Sequence, residues 1–105
     1  MVTVGLLATL VAKPDKADEL ASFLSSALPL AEAENHTTAW FAIKIDDVTY
    51  GIFDVFPGHE GRQAHLDGPI AAALMAKADE LLNSPPDIKP IDVLAAKLPK
   101  DHPLP

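Results

Sequence analysis

The sequence predicts an α+β fold in which one antiparallel sheet carries helices on a single face. Three observations predict it. Four stretches alternate in the two-residue rhythm of strands, two longer stretches place apolar residues at the three-and-four spacing of helices, and they follow in the order strand, helix, strand, strand, helix, strand. The 105 residues supply one compact core and leave no room for a second. Residues 1–98 are assigned to that single domain. Residues 99–105 read as a proline-rich tail, because Pro99, Pro103 and Pro105 can neither donate to a ladder nor continue a helix.

Residues 3–12 read as the first strand, with Val4, Leu6, Ala8 and Leu10 alternating against Thr3, Gly5, Leu7, Thr9 and Val11. Pro14 and Asp15 break it, and Asp15 is the expected N-cap of a helix whose first turn holds Asp18 and Glu19. Leu20, Phe23, Leu24, Ala27 and Leu28 form its buried face. Pro29 is expected to kink the helix, residues 30–34 to add a turn, and Asn35-His36 to stop it. Residues 37–45, built around Trp40, Phe41 and Ile43, form the second strand, and Asp46-Asp47 is the turn into a third at 48–56. Pro57-Gly58 ends that strand. A short helix follows over residues 59–67. Gly68-Pro69 interrupts, with Pro69 well placed for the first turn of a new helix that buries Ile70, Ala73, Leu74, Ala78, Leu81 and Leu82. Asn83-Ser84-Pro85-Pro86 stops it, and residues 88–98 read as the last strand.

This order matches the split β-α-β of the ferredoxin-like fold, βαββαβ, with the helices on one face. The opposite face is too apolar for water: Gly5, Leu7 and Val11, Phe53 and Val55, and Ile91, Val93 and Ala95 all fall on it. A homodimer through the open sheet face is therefore expected, two such sheets forming a dimeric α/β barrel.

Charge narrows the function. Lys plus Arg is 8 and Asp plus Glu is 15, a net charge of −7, so the chain lacks the basic footprint that nucleic acid or an anionic membrane needs. Cysteine is absent, which removes disulfides, thiolate nucleophiles and cysteine-ligated metals. No basic n-region with a cleavage site follows Met1, and a cytoplasmic location is expected. No glycine-rich phosphate loop and no nucleophile elbow is present.

Several segments together resemble a known family. They are Val4-Gly5-Leu6-Leu7-Ala8 leading to Lys13-Pro14, Trp40-Phe41, Gly51-Ile52-Phe53-Asp54-Val55-Phe56, Arg62-Gln63-Ala64-His65-Leu66 and Gly68-Pro69. Across residues 3–98 the chain resembles the antibiotic biosynthesis monooxygenase-like domains, small dimeric α+β barrels. Within these segments, Asp54-Val55-Phe56 and Ala64-His65-Leu66 are similar to the family's acidic-spacer-aromatic and alanine-histidine-leucine elements. The resemblance implies a cofactor-independent monooxygenase of a small electron-rich aromatic, a quinol or polyphenol. The haem-degrading branch uses a first-strand Asn, and here no Asn precedes Asn35. Many members carry a second His just after the proline, where this chain has Ile70.

His65 is the leading catalytic candidate, as base or orienter, because an imidazole titrates near working pH. Asp54 is the second, since a carboxylate within an apolar strand is costly unless paired. It either partners His65 or serves as an acceptor for Arg62, Tyr50 or a helix N-terminus. Trp40, Phe41, Tyr50, Phe56 and Arg62 are the candidate substrate pocket, four aromatics of the central strands and one cation near His65. Neither a cofactor nor a metal is expected: His59 and His65, six apart on one helix, point about 120° away from each other. Two other readings stay open, a non-catalytic dimeric module that binds a small molecule or only assembles, and an isomerase or decarboxylase using the same base without oxygen.

Overall fold

The computed structural model describes residues 1–99. Four strands, β1 (Val4–Val11), β2 (Ala39–Lys44), β3 (Thr49–Phe56) and β4 (Asp87–Asp92), form one antiparallel sheet in the order β2-β3-β1-β4. The helices are α1 (Ala17–Ser26), α2 (Leu28–Glu32), α3 (His59–Leu66) and α4 (Pro69–Leu81). The architecture is the α+β ferredoxin-like arrangement that the element order predicts. Most of the expected tail, from Lys100 onward, lies outside the described residues. Among the described residues no helix is long and apolar enough to cross a membrane.

Three boundaries differ from the sequence reading. Lys16, not Asp15, occupies the N-cap of α1, and no side chain caps it. The Lys16 amide donates to the Lys13 carbonyl at 2.9 Å, so a tight turn closes first and pushes the helix start past Asp15. Pro29 does not kink one helix but stands in the first turn of a new one, α2, where its missing N–H is no loss. The last strand stops at Asp92 rather than running to residue 98. Its partner β1 begins at Val4, and after the bond from the Val93 amide to the Thr3 carbonyl the chain leaves the sheet with Leu94 fully exposed. Pro90 is tolerated because β4 is an edge strand.

Register divides the sheet into two faces. Leu6 pairs with Asp54, Ala8 with Ile52 and Leu10 with Tyr50 on β3, and Trp40 of β2 stands opposite Asp54. These side chains face the helices. Leu7 pairs with Phe53, and Phe41 with Phe53, on the open face. The helix side holds three apolar clusters. The largest gathers Ala8, Leu10, Leu20, Ile52 and Leu74, the second Val4, Leu6 and Phe56, and the third Ala27, Ala31 and Ile70. Asp54 and His65 are the buried charged or polar side chains among the described residues.

Gly5 sets the spacing of the two central strands. Its φ is not positive, so the requirement is space and not backbone conformation. A Cβ there would lie 2.6 Å from the Asp54 carbonyl oxygen, a backbone atom that cannot swing aside. Gly5→Ala is expected to destabilise the fold by about 1–3 kcal/mol in a urea melt, the usual cost of overpacking.

Candidate active site

Asp54 is 1% exposed near the end of β3, in the middle of the sheet. The strand puts it there because Ile52, Asp54 and Phe56 share one face by the two-residue period. His65 lies on α3, which packs against β1 and β3. That helix also approaches the segment between α2 and β2 closely because residue 61 is glycine: a Cβ would fall 2.9 Å from the His36 Cβ and 3.0 Å from its carbonyl oxygen. The His65 ring is 7% exposed and leans on Phe56 with centroids 5.5 Å apart.

Two carboxylates hold the ring. Nδ1 is 2.7 Å from Glu34 Oε1, and Nε2 is 3.0 Å from Asp54 Oδ2. The first is a short charge-assisted hydrogen bond. In the second the carboxylate lies off the N–H direction, so it is a charge contact, and neither Asp54 oxygen has an aligned donor. Glu34 Oε1 also accepts from Thr37 Oγ1 at 2.6 Å, which fixes the carboxylate in turn. Burial acts to lower the His65 pKa and is the largest single influence; the two carboxylates, Asp54 and then Glu34, together outweigh it and raise the pKa above 6.5. The imidazole is therefore biased to its charged form.

Asp54 and His65 form the polar end of a small cavity of about 30 Å³. Leu6, Ala8 and Ile52 of the central strands form one wall, and Ile70, Ala71 and Leu74 of α4 form another. Leu66 and Ile88 complete it, Ile88 being 37% exposed at the β4 edge. All three apolar clusters contribute, so the cavity sits where they fail to merge.

The sequence candidates separate into two groups. His65 and Asp54 meet, with Phe56 against the ring and Trp40 opposite Asp54 in register. Trp40 Nε1 is buried without a partner. The other three do not join them. Phe41 is on the open face, half exposed and stacked on Phe53 at 6.4 Å. Tyr50 is buried in the largest cluster, four residues and about 13 Å along β3 from Asp54. Arg62 does not pair with Asp54. Its guanidinium donates to the carbonyls of Gly5 at 3.4 Å and Ile91 at 3.3 Å and meets His59 Nδ1 at 2.9 Å. The cavity wall is thus aliphatic where aromatics were expected. Glu34 is the partner that sequence reasoning missed. Its signal was a carboxylate just past the end of a helix, where the backbone dipole disfavours negative charge.

Over 96% of its length the chain is 56% identical to NE2512, a protein of unknown function from Nitrosomonas europaea, covering 98% of that chain with a TM-score of 0.94. The chain belongs to the same family as NE2512. Its fold is that of the antibiotic biosynthesis monooxygenase-like proteins. A second N. europaea protein, named "putative antibiotic biosynthesis monooxygenase", superposes with a TM-score of 0.78 at 10% identity, over 88% of this chain and 90% of that one. A protein of the same name from Chloroflexus aurantiacus gives 0.70 at 18% identity, over 90% and 96%. No family model and no curated protein matches the sequence. NE2512 is named as a protein of unknown function, and the two proteins named for monooxygenation share the fold with this chain.

The raised His65 pKa has a definite sign for stability. Between the unfolded value near 6.5 and the higher folded value the native state binds more protons, so stability falls as pH rises. The contribution is complete below about pH 6.5 and is lost as pH passes through the folded pKa. An NMR titration of the His65 ring is expected to give a midpoint above 6.5, lowered by Glu34→Gln. Thermal melts across the same window should show the loss in the native chain and not in His65→Gln.

Proposed function

We propose that the chain is a cofactor-free monooxygenase of a small electron-rich aromatic, a quinol or polyhydroxylated ring. The observation that carries this reading is the Asp54 carboxylate, buried 3.0 Å from the His65 imidazole at the end of an aliphatic cavity, with neither oxygen accepting an aligned hydrogen bond. A buried acceptor left unmet costs about 1–3 kcal/mol. A site that keeps two such atoms is suited to a ligand that donates to them.

The residues divide the work. Glu34 holds Nδ1 and Nε2 lies 3.0 Å from Asp54, so His65 supplies positive charge beside Asp54 instead of removing the proton itself. Asp54 takes the proton from a ring hydroxyl. Glu34 keeps His65 charged and in place. The ring anion passes one electron to dioxygen, and the two radicals combine into a carbon–oxygen bond. Asp54 returns its proton to that peroxide, and the hydroperoxide loses water together with the hydrogen of the same ring carbon to leave a carbonyl, so one oxygen atom ends in product and the other in water. The fold relatives named for antibiotic biosynthesis monooxygenation support the reaction class.

The cavity size favours a second reading. About 30 Å³ admits a water-sized group and not a whole ring without movement of the wall. A module that binds a small molecule without turnover fits that volume as it stands. The proposed partner in either case is a second copy of the chain on the open face, where Leu7, Phe41 and Ile43 are exposed together.

Oxygen uptake with a panel of quinols and anthrone-like phenols tests the oxygenase. Uptake is expected, and Asp54→Asn should reduce it by about 10²–10⁴-fold with the fold retained, the usual loss for a general base. Uptake unchanged in that variant removes Asp54 from the reaction, and none across the panel favours the binding module. Sedimentation equilibrium at micromolar concentration should give the mass of two chains, and Phe41→Asp the mass of one.

A further inference from the structure

We infer that the cavity between Asp54 and His65 is a binding site for one internal water molecule, which joins the Asp54 carboxylate to Nε2 of the imidazole. The inference stands on the geometry and does not depend on the oxygenase reading.

Buried polar groups find a partner in protein or in ordered water. Among the described residues four side-chain atoms are buried without an aligned protein partner: both Asp54 oxygens, Glu34 Oε2 and Trp40 Nε1. Of these, the Asp54 oxygens alone belong to a residue that lines the cavity. Glu34 Oε2 lies on another side, toward Gly68, where an added Cβ would come within 3.6 Å of it.

His65 supplies the complementary group. Glu34 Oε1 takes Nδ1 at 2.7 Å, so Nε2 is the ring nitrogen left for the cavity end. Nε2 is 3.0 Å from Asp54 Oδ2, yet its N–H does not aim at that oxygen. The charged ring therefore keeps a donor for a third group, and the polar end of the cavity presents acceptors on one side and a donor on the other.

Volume and lining name the occupant. A water needs at least about 10–15 Å³ and about two to four polar partners. The cavity offers about 30 Å³, and its partners are Asp54 Oδ1, Asp54 Oδ2 and His65 Nε2. The rest of the wall is aliphatic, which pins the molecule at the charged end. Water also suits both forms of the ring. It accepts from the Nε2–H of the imidazolium and turns to donate to Nε2 of the neutral ring, while a hydrogen stays on Asp54. A contact too misaligned for a direct hydrogen bond becomes a continuous chain from Asp54 through water and His65 to Glu34. Any ligand group that reaches Asp54 takes the place of this water and has to reproduce its bonds.

A crystal structure of the full chain that shows ordered water, together with NMR cross-relaxation between water and the methyl-labelled chain, tests this. One density peak is expected within about 3.2 Å of both an Asp54 oxygen and His65 Nε2. The methyls of Ala8 and Ala71, which line the cavity, should show cross-peaks of the sign given by a water that outlasts molecular tumbling. Ala71→Val fills the space and should abolish the density peak and the Ala8 cross-peak. No density at that position, Asp54 and His65 in an aligned direct hydrogen bond, or native methyls silent toward water would each overturn the inference. So would an Ala8 cross-peak that survives the filling, since it would come from a His65 N–H exchanging with solvent. The native chain decides the matter if the variant fails to fold. Oxygen uptake enters none of these outcomes, so the oxygenase reading stands or falls separately.

Discussion

A carboxylate in the middle of a four-stranded sheet stays buried only where a positive group meets it, and for Asp54 that group is His65. The pairing is also what ties the helical layer to the sheet at this end. Asp54 belongs to β3, His65 to α3, and Glu34 to the segment that leaves α2 toward β2. Three parts of the chain that are far apart in sequence are drawn to one imidazole ring. Losing the ring would leave two carboxylates close together in a poorly hydrated space, a loss of about 3–5 kcal/mol for breaking a buried pair. Phe56 packs on the ring, and Gly61 lets α3 lie close to His36 in the segment that carries Glu34. The apolar core is arranged around this contact: its three clusters stop at the charged groups, and the cavity is the space left between them.

The fold was legible in the sequence because its signals are local and repeated. Alternation along residues 3–12 and 48–56, and the helical spacing from Ile70 to Leu82, each report which face is buried without reference to the rest of the chain. Asp54 and His65 were legible for a related reason. A single charge inside Gly51-Ile52-Phe53-Asp54-Val55-Phe56 breaks an apolar pattern and so asks for a partner. Glu34 breaks no apolar pattern, and its place after a helix end is a weak signal beside that of Asp54. It sits among Glu32, Asn35 and His36 in a polar stretch, and only the packing of α3 against the sheet brings it within 2.7 Å of a ring 31 residues away. Arg62 shows the converse. Its spacing of three from His65 placed it on nearly the same helix face, but its long side chain reaches backbone carbonyls of β1 and β4 instead of the nearby carboxylate.

The aromatic residues misled for a reason that the strand period explains. Clustering on two neighbouring strands suggested one flat pocket. Adjacent residues on a strand point to opposite sides, so Trp40 and Phe41 cannot share a pocket, and nor can Phe53 and Asp54. The same two dipeptides supply both faces: Trp40 and Asp54 toward the helices, Phe41 and Phe53 toward the open side. What remains beside His65 is aliphatic, apart from Phe56.

That division separates assembly from chemistry. A second copy proposed on the open face would touch Leu7, Phe41 and Ile43, none of which lines the cavity. The two faces are still not independent, because they share one backbone. Gly5 faces the open side, yet its empty Cβ position lies against the Asp54 carbonyl oxygen, and the Gly5 carbonyl in turn accepts from Arg62 on the helix that carries His65. Pressure on the open face at Gly5 would therefore move the strand residue that bears the carboxylate and strain the helix that bears its partner. Gly51, also on the open face, stands in the same way against the Ala8 carbonyl oxygen at 3.0 Å, but only Gly5 lies against the backbone of Asp54 itself.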